Sequence, residues 1–160
     1  MIRIFLIIRN LTIPLFSFMM IILTACEDIL PGGYGTITVK VDGVKETFKW
    51  NAGAGYMNGA TDIGASDKRN HPDKWIGIHI YLPIESISEK TYSGTDVGFD
   101  YIDYCGYSLP YGYEDTSVTV TEIDSKHIKG TFSGFVNTDN HSDKCPGSRM
   151  LTDGSFDVDF

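Results

Sequence analysis

Thr36-Ile37-Thr38-Val39-Lys40-Val41-Asp42-Gly43-Val44-Lys45-Glu46-Thr47-Phe48-Lys49-Trp50 is the stretch on which the fold reading turns. Ile37, Val39 and Val41 alternate with Thr36, Thr38 and Lys40, and after Asp42-Gly43 the residues Val44, Phe48 and Trp50 alternate with Lys45, Thr47 and Lys49. A period of two marks a strand with one buried face. Asp-Gly between two such runs marks a two-residue hairpin, because a type I′ turn needs positive φ at both central positions. The first elements are therefore expected to be an antiparallel pair with Val44, Phe48 and Trp50 turned inward.

The same pattern continues outward along the chain. Weaker alternation covers Ala60–Ala65, a clean strand is expected over Trp75–Leu82, and another over Phe99–Tyr107. Val118–Ile123 and Ile128–Val136 form an expected second hairpin turning at Asp124-Ser125-Lys126. The last run, Ser155–Phe160, sets Phe156, Val158 and Phe160 on one face. No amphipathic helix of three turns is present, and Ile84–Lys90 reads as a helical turn or a loop. The expected fold is all-β: a single antiparallel β-sandwich or small barrel of seven or eight strands.

Upstream of the hairpin the composition changes. Residues 1–25 carry Arg3 and Arg9 and no acid; the rest holds 11 basic and 21 acidic groups, a net charge of −10 within a whole-chain value of −8. Such an acidic chain argues against nucleic acid as a partner, since a basic face is needed to displace counterions from phosphates. Leu11–Leu23 is a 13-residue apolar run broken by Thr12, Pro14 and Ser17. It is shorter than the ~20 residues of a spanning helix and suits a secretory signal core. Its end, Leu23-Thr24-Ala25-Cys26, resembles the lipobox of bacterial lipoproteins. That resemblance implies cleavage after Ala25 and diacylglycerol on the Cys26 sulfur, with the membrane as partner through the lipid. Glu27-Asp28 is similar to the surface-export signal of Bacteroidetes lipoproteins, so the expected place is the outer membrane, at its periplasmic face or at the cell surface. The domain plan is a cleaved signal at 1–25, the lipidated Cys and a Pro- and Gly-rich tether at 26–35, and a β domain at 36–160.

With Cys26 assigned to lipid, Cys105 and Cys145 remain as a pair in an exported chain, for which a disulfide is the expected state. The rival is a metal site at Asp139, His141, Asp143 and Cys145, but this cluster has no second Cys or His at ligand spacing. No metal and no cofactor are therefore expected. The search for a nucleophile is negative too: the chain has no G-x-S-x-G and four His in all. Asp96, Asp100, Asp103, Glu114 and Asp115 provide carboxylates for a glycosidase, yet among 21 acids such pairs arise by chance. No catalytic residue is assigned.

Two binding candidates stand out. In Trp75-Ile76-Gly77-Ile78-His79-Ile80-Tyr81-Leu82 the even positions form the core face, leaving Trp75, His79 and Tyr81 on the other with a gap at Gly77. A row of aromatics can stack on sugar rings; alternatively, a loop or cross-strand partners cover it. The second candidate is the segment holding Tyr92, Tyr101, Tyr104, Tyr107, Tyr111 and Tyr113, six of nine tyrosines among Gly and Asp. Tyrosine gives large contact area for few lost rotamers, but it also packs readily in β cores. The alternation leaves the buried face of this segment open.

The motifs Val41-Asp42-Gly43, Thr91-Tyr92, Val118-Thr119-Val120-Thr121-Glu122-Ile123-Asp124, Ile128-Lys129-Gly130-Thr131-Phe132-Ser133 and Thr152-Asp153-Gly154-Ser155-Phe156 together resemble a family of small Bacteroidetes lipoproteins to which no reaction is assigned. Lys90 departs from the Gly that precedes Thr-Tyr in that family. The resemblance implies a β domain at the cell envelope and no catalytic residue. The functional expectation is a non-enzymatic binding module for a glycan, peptide or envelope protein. The alternatives are a small anchored inhibitor or accessory subunit of a hydrolase and, last, a polysaccharide-acting enzyme.

Overall fold

Asp42 and Gly43 both adopt positive φ, 50° and 84°, and Val41 pairs with Val44 across them. This is the two-residue turn whose twist matches that of the strands it joins. It lies in a computed structural model that describes residues 34–109, 115–138, 145 and 147–160. These form eleven strands: β1 (Gly35–Val41), β2 (Val44–Phe48), β3 (Trp50–Met57), β4 (Ala60–Ser66), β5 (Trp75–Ile80), β6 (Thr91–Ser93), β7 (Val97–Ile102), β8 (Tyr107–Leu109), β9 (Ser117–Ile123), β10 (His127–Asn137) and β11 (Ser148–Asp159). Among the described residues there is no α-helix, only single 3-10 turns at Ile84–Ser86 and Gly94–Asp96. No helix there is long and apolar enough to cross a membrane.

All strand pairs are antiparallel, in the order β2-β1-β11-β10-β8-β7-β5-β4-β3, with β9 sharing with β8 the edge of β10 opposite β11 and β6 beside β9. The two ends of that order, β2 and β3, are separated by Lys49 alone. One bent segment therefore pairs with β1 through its first half and with β4 through its second, and the Lys49 N–H donates to the Ser66 carbonyl at 3.1 Å. The sheet is thereby nearly closed and barrel-like. Asn51 supplies the bend with φ 51°, and the register against β4 shifts between Trp50 and Gly53, as a bulge requires.

The interior is filled by Ile37, Phe48, Ile76, Ile78, Ile80, Phe99, Phe132, Leu151, Phe156 and Val158, all almost fully covered. The inward row Ile76, Ile78 and Ile80 is as the alternation predicts. Other expectations need correction. Val44 is 66% exposed and Trp50 46%: Val44 adjoins the Asp42-Gly43 turn, and the bend at residues 49–51 carries Trp50 out of phase with Phe48. The predicted strand Phe99–Tyr107 is two strands. Asp103 accepts the Cys105 N–H at 2.6 Å and Gly106 takes φ 66°, so the chain reverses and Tyr107 pairs with Tyr101. These breaks, with the short β6, raise the strand number above the expected seven or eight. The last strand is longer than its alternation shows, because the bulge at Thr152-Asp153-Gly154 interrupts the pattern; Asp153 has φ 50°. Phe160 lies beyond that strand at 39% exposure, so the expected core stripe stops at Val158.

Cys105 and Cys145 are bonded, with an S–S distance of 2.10 Å and Cα atoms 5.6 Å apart. The bridge ties the β7–β8 turn to the segment ahead of β11.

Candidate functional site

The outer face of β3, β4, β5 and β7 is set by register. Gly55, Asp62, His79 and Gly98 lie in one cross-strand row, and Gly53, Gly64, Gly77 and Asp100 in the next. A third row holds Trp50, Ser66, Trp75 and Ile102. Five glycines thus make a floor without side chains, and the larger groups must lie across it. Trp75 does so. A Cβ added at Gly77 would overlap its Cη2 and come within 2.7 Å of Cζ3; one at Gly64 would meet Cζ2 at 3.0 Å. The expected gap at Gly77 is therefore occupied by the indole of Trp75, which lies along the sheet instead of standing off it.

His79 occupies the centre of this face. Its Nδ1 lies 2.6 Å from Asp62 Oδ1 and its Nε2 3.0 Å from Asp100 Oδ2. Asp62 is directly opposite His79, and Asp100 reaches it diagonally across Gly98, which presents nothing in between. Partial burial pushes the imidazole pKa down, but the hydrogen bonds and charges of Asp100 and Asp62 outweigh it, so His79 is held above the usual histidine value. As an imidazolium it donates from both nitrogens. Tyr81 follows with its ring nearly parallel to that of His79, 16° apart with centroids at 6.4 Å. Trp75, His79 and Tyr81 are thus brought to one partly exposed face.

Sequence reading did not single out Asp62 as a partner of His79, because that pairing follows from β4–β5 register. Asp100 was visible only as one of many carboxylates. The other histidines lie elsewhere. His71 is exposed in the β4–β5 loop, His127 sits between Asp157 and Asp159 at 3.2 and 3.0 Å, and His141 is outside the described residues. Among the described residues no group of three or more His, Cys, Asp or Glu could hold a metal ion. Asp139, His141 and Asp143 are not described, and the Cys145 sulfur is bonded to Cys105.

The tyrosine-rich segment divides. Tyr92 is buried with its hydroxyl on the backbone of Ser88. Tyr101 and Tyr107 are buried with ring centroids 6.2 Å apart, and Phe99 and Tyr101 define the inward face that alternation left open. Burial, and the carboxylate of Glu46 that the Tyr101 hydroxyl contacts, push its pKa well up. Tyr104 is 73% exposed. Tyr111, Tyr113 and Cys26 lie outside the described residues. Compared with known protein families, curated proteins and solved structures, the chain matches none.

Proposed function

We propose that the protein is a lipid-anchored, non-enzymatic binding module of the bacterial cell envelope that holds a glycan against the outer face of β4, β5 and β7. The observation that carries this is the Trp75 indole lying flat on the glycine floor beside the Asp62–His79–Asp100 trio. A flat indole offers an apolar ring face to the C–H face of a sugar. The two carboxylates spend some acceptor sites on His79 and keep others for sugar hydroxyls. Both ring nitrogens of His79 are engaged, which leaves neither to take a proton from a nucleophile and favours binding over acid–base chemistry. The platform suits a small barrel better than two facing sheets, since β2 and β3 are one bent segment.

The anchoring half of the reading rests on Leu23-Thr24-Ala25-Cys26 and is supported by the Cys105–Cys145 bond, a bond of oxidising compartments. Acylation at Cys26 gives stable attachment to the outer membrane, facing the periplasm or outside, through several chains at about 0.8 kcal/mol per buried methylene.

The test is a glycan array probed with the full-length protein and its Trp75→Ala and Tyr81→Ala variants, with Cys26→Ser in a membrane fractionation. Selective binding that Trp75→Ala loses supports the platform; binding that both aromatic variants retain refutes it. Cys26→Ser should leave the membrane fraction, and unchanged retention there refutes the anchor.

A further inference from the structure

Among the described residues β2 has one strand neighbour, β1. Across a two-residue hairpin the flanking pair exchanges hydrogen bonds and every second pair does so after it. Val41–Val44, Val39–Glu46 and Ile37–Phe48 are those pairs. The backbone N–H and C=O groups of Lys45 and Thr47 therefore point away from β1. Lys49 has the same phase, and its N–H donates in that direction to Ser66. Past Ser66 the chain leaves the sheet in a loop closed by the Asp67 N–H on the Lys74 carbonyl and by the Asp67 carboxylate on the N–H groups of Asp73 and Lys74. Lys45 and Thr47 consequently border a seam in the wall.

Along the seam runs a groove of about 800 Å³, lined by Val44, Glu46, Lys74, Tyr101, Ile102 and Tyr104 among others. Val44, Ile102 and Tyr104 are exposed; three exposed apolar side chains on one groove beside an unpaired edge form a patch, unlike single ones scattered on a surface. Its floor is acidic. Glu46 accepts the Tyr101 hydroxyl at 3.1 Å and pairs with Lys74. Arg149 holds Asp42 at 2.8 Å and Asp103 at 3.7 Å. With Asp73, which pairs with Lys68 outside the lining, four carboxylates meet three cations and leave one negative charge in excess. The outward side of β2 carries Lys45, with Lys49 just past its end, and edge lysines oppose pairing with a second copy of the same strand.

We propose that β2 is a docking edge for an extended peptide segment of a partner protein. The segment adds as a strand along Lys45 and Thr47, covers Val44, Ile102 and Tyr104, and sets a basic side chain over the carboxylates of the groove. Backbone pairing supplies the attachment, and the groove selects the inward side chains. This surface meets the outer face of β4, β5 and β7 only at Ile102, the cross-strand neighbour of Trp75, and stands independently of the glycan reading.

The experiment titrates the full-length protein with capped peptides of about six residues alternating valine with lysine, valine with glutamate, and valine with lysine but N-methylated at alternate amides. The lysine peptide should bind about tenfold or more tighter than the other two, a difference well above titration error. Thr47→Pro, which removes an N–H that β1 does not use, should weaken the lysine peptide about tenfold, Thr47→Val should not, and Trp75→Ala should leave it unchanged. If Thr47→Pro melts early, the N-methylated peptide on the native protein decides. Failure of the lysine peptide to bind, equal binding of the glutamate peptide, or insensitivity to N-methylation overturns the proposal. A dimer that Thr47→Pro dissolves overturns it too, by showing that the occupant is a second copy.

Discussion

Substituting Gly77 by Ala tests whether Trp75 is a platform held by the glycine floor. The added Cβ would overlap Cη2 and reach within 2.7 Å of Cζ3 and 3.2 Å of Cζ2, whereas carbon pairs settle at about 3.5–4.0 Å. The ring must lift by roughly 1 Å or swing off the face. Because Trp75 is on the outside, the barrel interior need not move. A Trp side chain carries about 150–250 Å² of contact surface, and returning about a third of it to water at about 25 cal/mol per Å² costs about 1.5 kcal/mol. For a domain of this size that lowers the melting temperature by about 6 °C. At Gly64 the corresponding Cβ meets Cζ2 at 3.0 Å and Cε2 at 3.4 Å, so Gly64→Ala should shift melting and binding less. The chain has two Trp, so a Trp50→Phe background leaves the emission of Trp75 alone. Gly77→Ala should red-shift that emission and weaken glycan binding almost as far as Trp75→Ala. An unchanged emission and melt, or a larger effect from Gly64→Ala, would refute the geometry. Displaced emission with full glycan binding would refute the platform.

Phe156→Ala should cost about 3–5 kcal/mol in denaturant unfolding, as for a fully buried aromatic, and Phe160→Ala under about 1 kcal/mol; similar losses would return Phe160 to the core stripe. His79 and His127 are both held above the usual histidine value, His79 by Asp100 and Asp62 against the opposing effect of burial, and His127 first by Asp159. A raised folded value adds stability that is complete below about 6.5, the unfolded value, and fades as pH rises through the folded one. The urea midpoint should therefore fall on the alkaline side of 6.5, and His79→Gln with His127→Gln should flatten that limb; an unaltered slope would show that the fold raises neither value. The disulfide closes a separation of 40 residues. Reduction should then lower stability by up to about 4 kcal/mol on the chain-entropy relation, and an identical melt with and without reductant would refute that contribution.

Much of the architecture was legible because its signals are local. Asp42-Gly43 turns the chain through its own dihedral angles, Asp124 closes its turn by accepting from the N–H groups of Lys126 and His127, and Ile76, Ile78 and Ile80 declare a buried face by alternation. The failures fall where the chain bends or changes partner. Val44 and Trp50 follow the period but lie beyond its reach, one beside a turn and one past a bend. Phe99–Tyr107 conceals a reversal made by Asp103 and Gly106, whose polar and flexible character is spread through the whole segment.

By itself the sequence determined the strand class, two turns, the pairing of the two later cysteines and the identity of one aromatic strand face, since each depends on neighbours within a few residues or on a count. Only the tertiary structure decided that β2 and β3 are the two ends of one sheet, that Trp75 fills the space over Gly77, and that Asp62 and Asp100 meet at His79. Those partners lie 17 and 21 residues from His79 along the chain. They converge because strand register, set by the burial of the opposite face, carries all three to the same place.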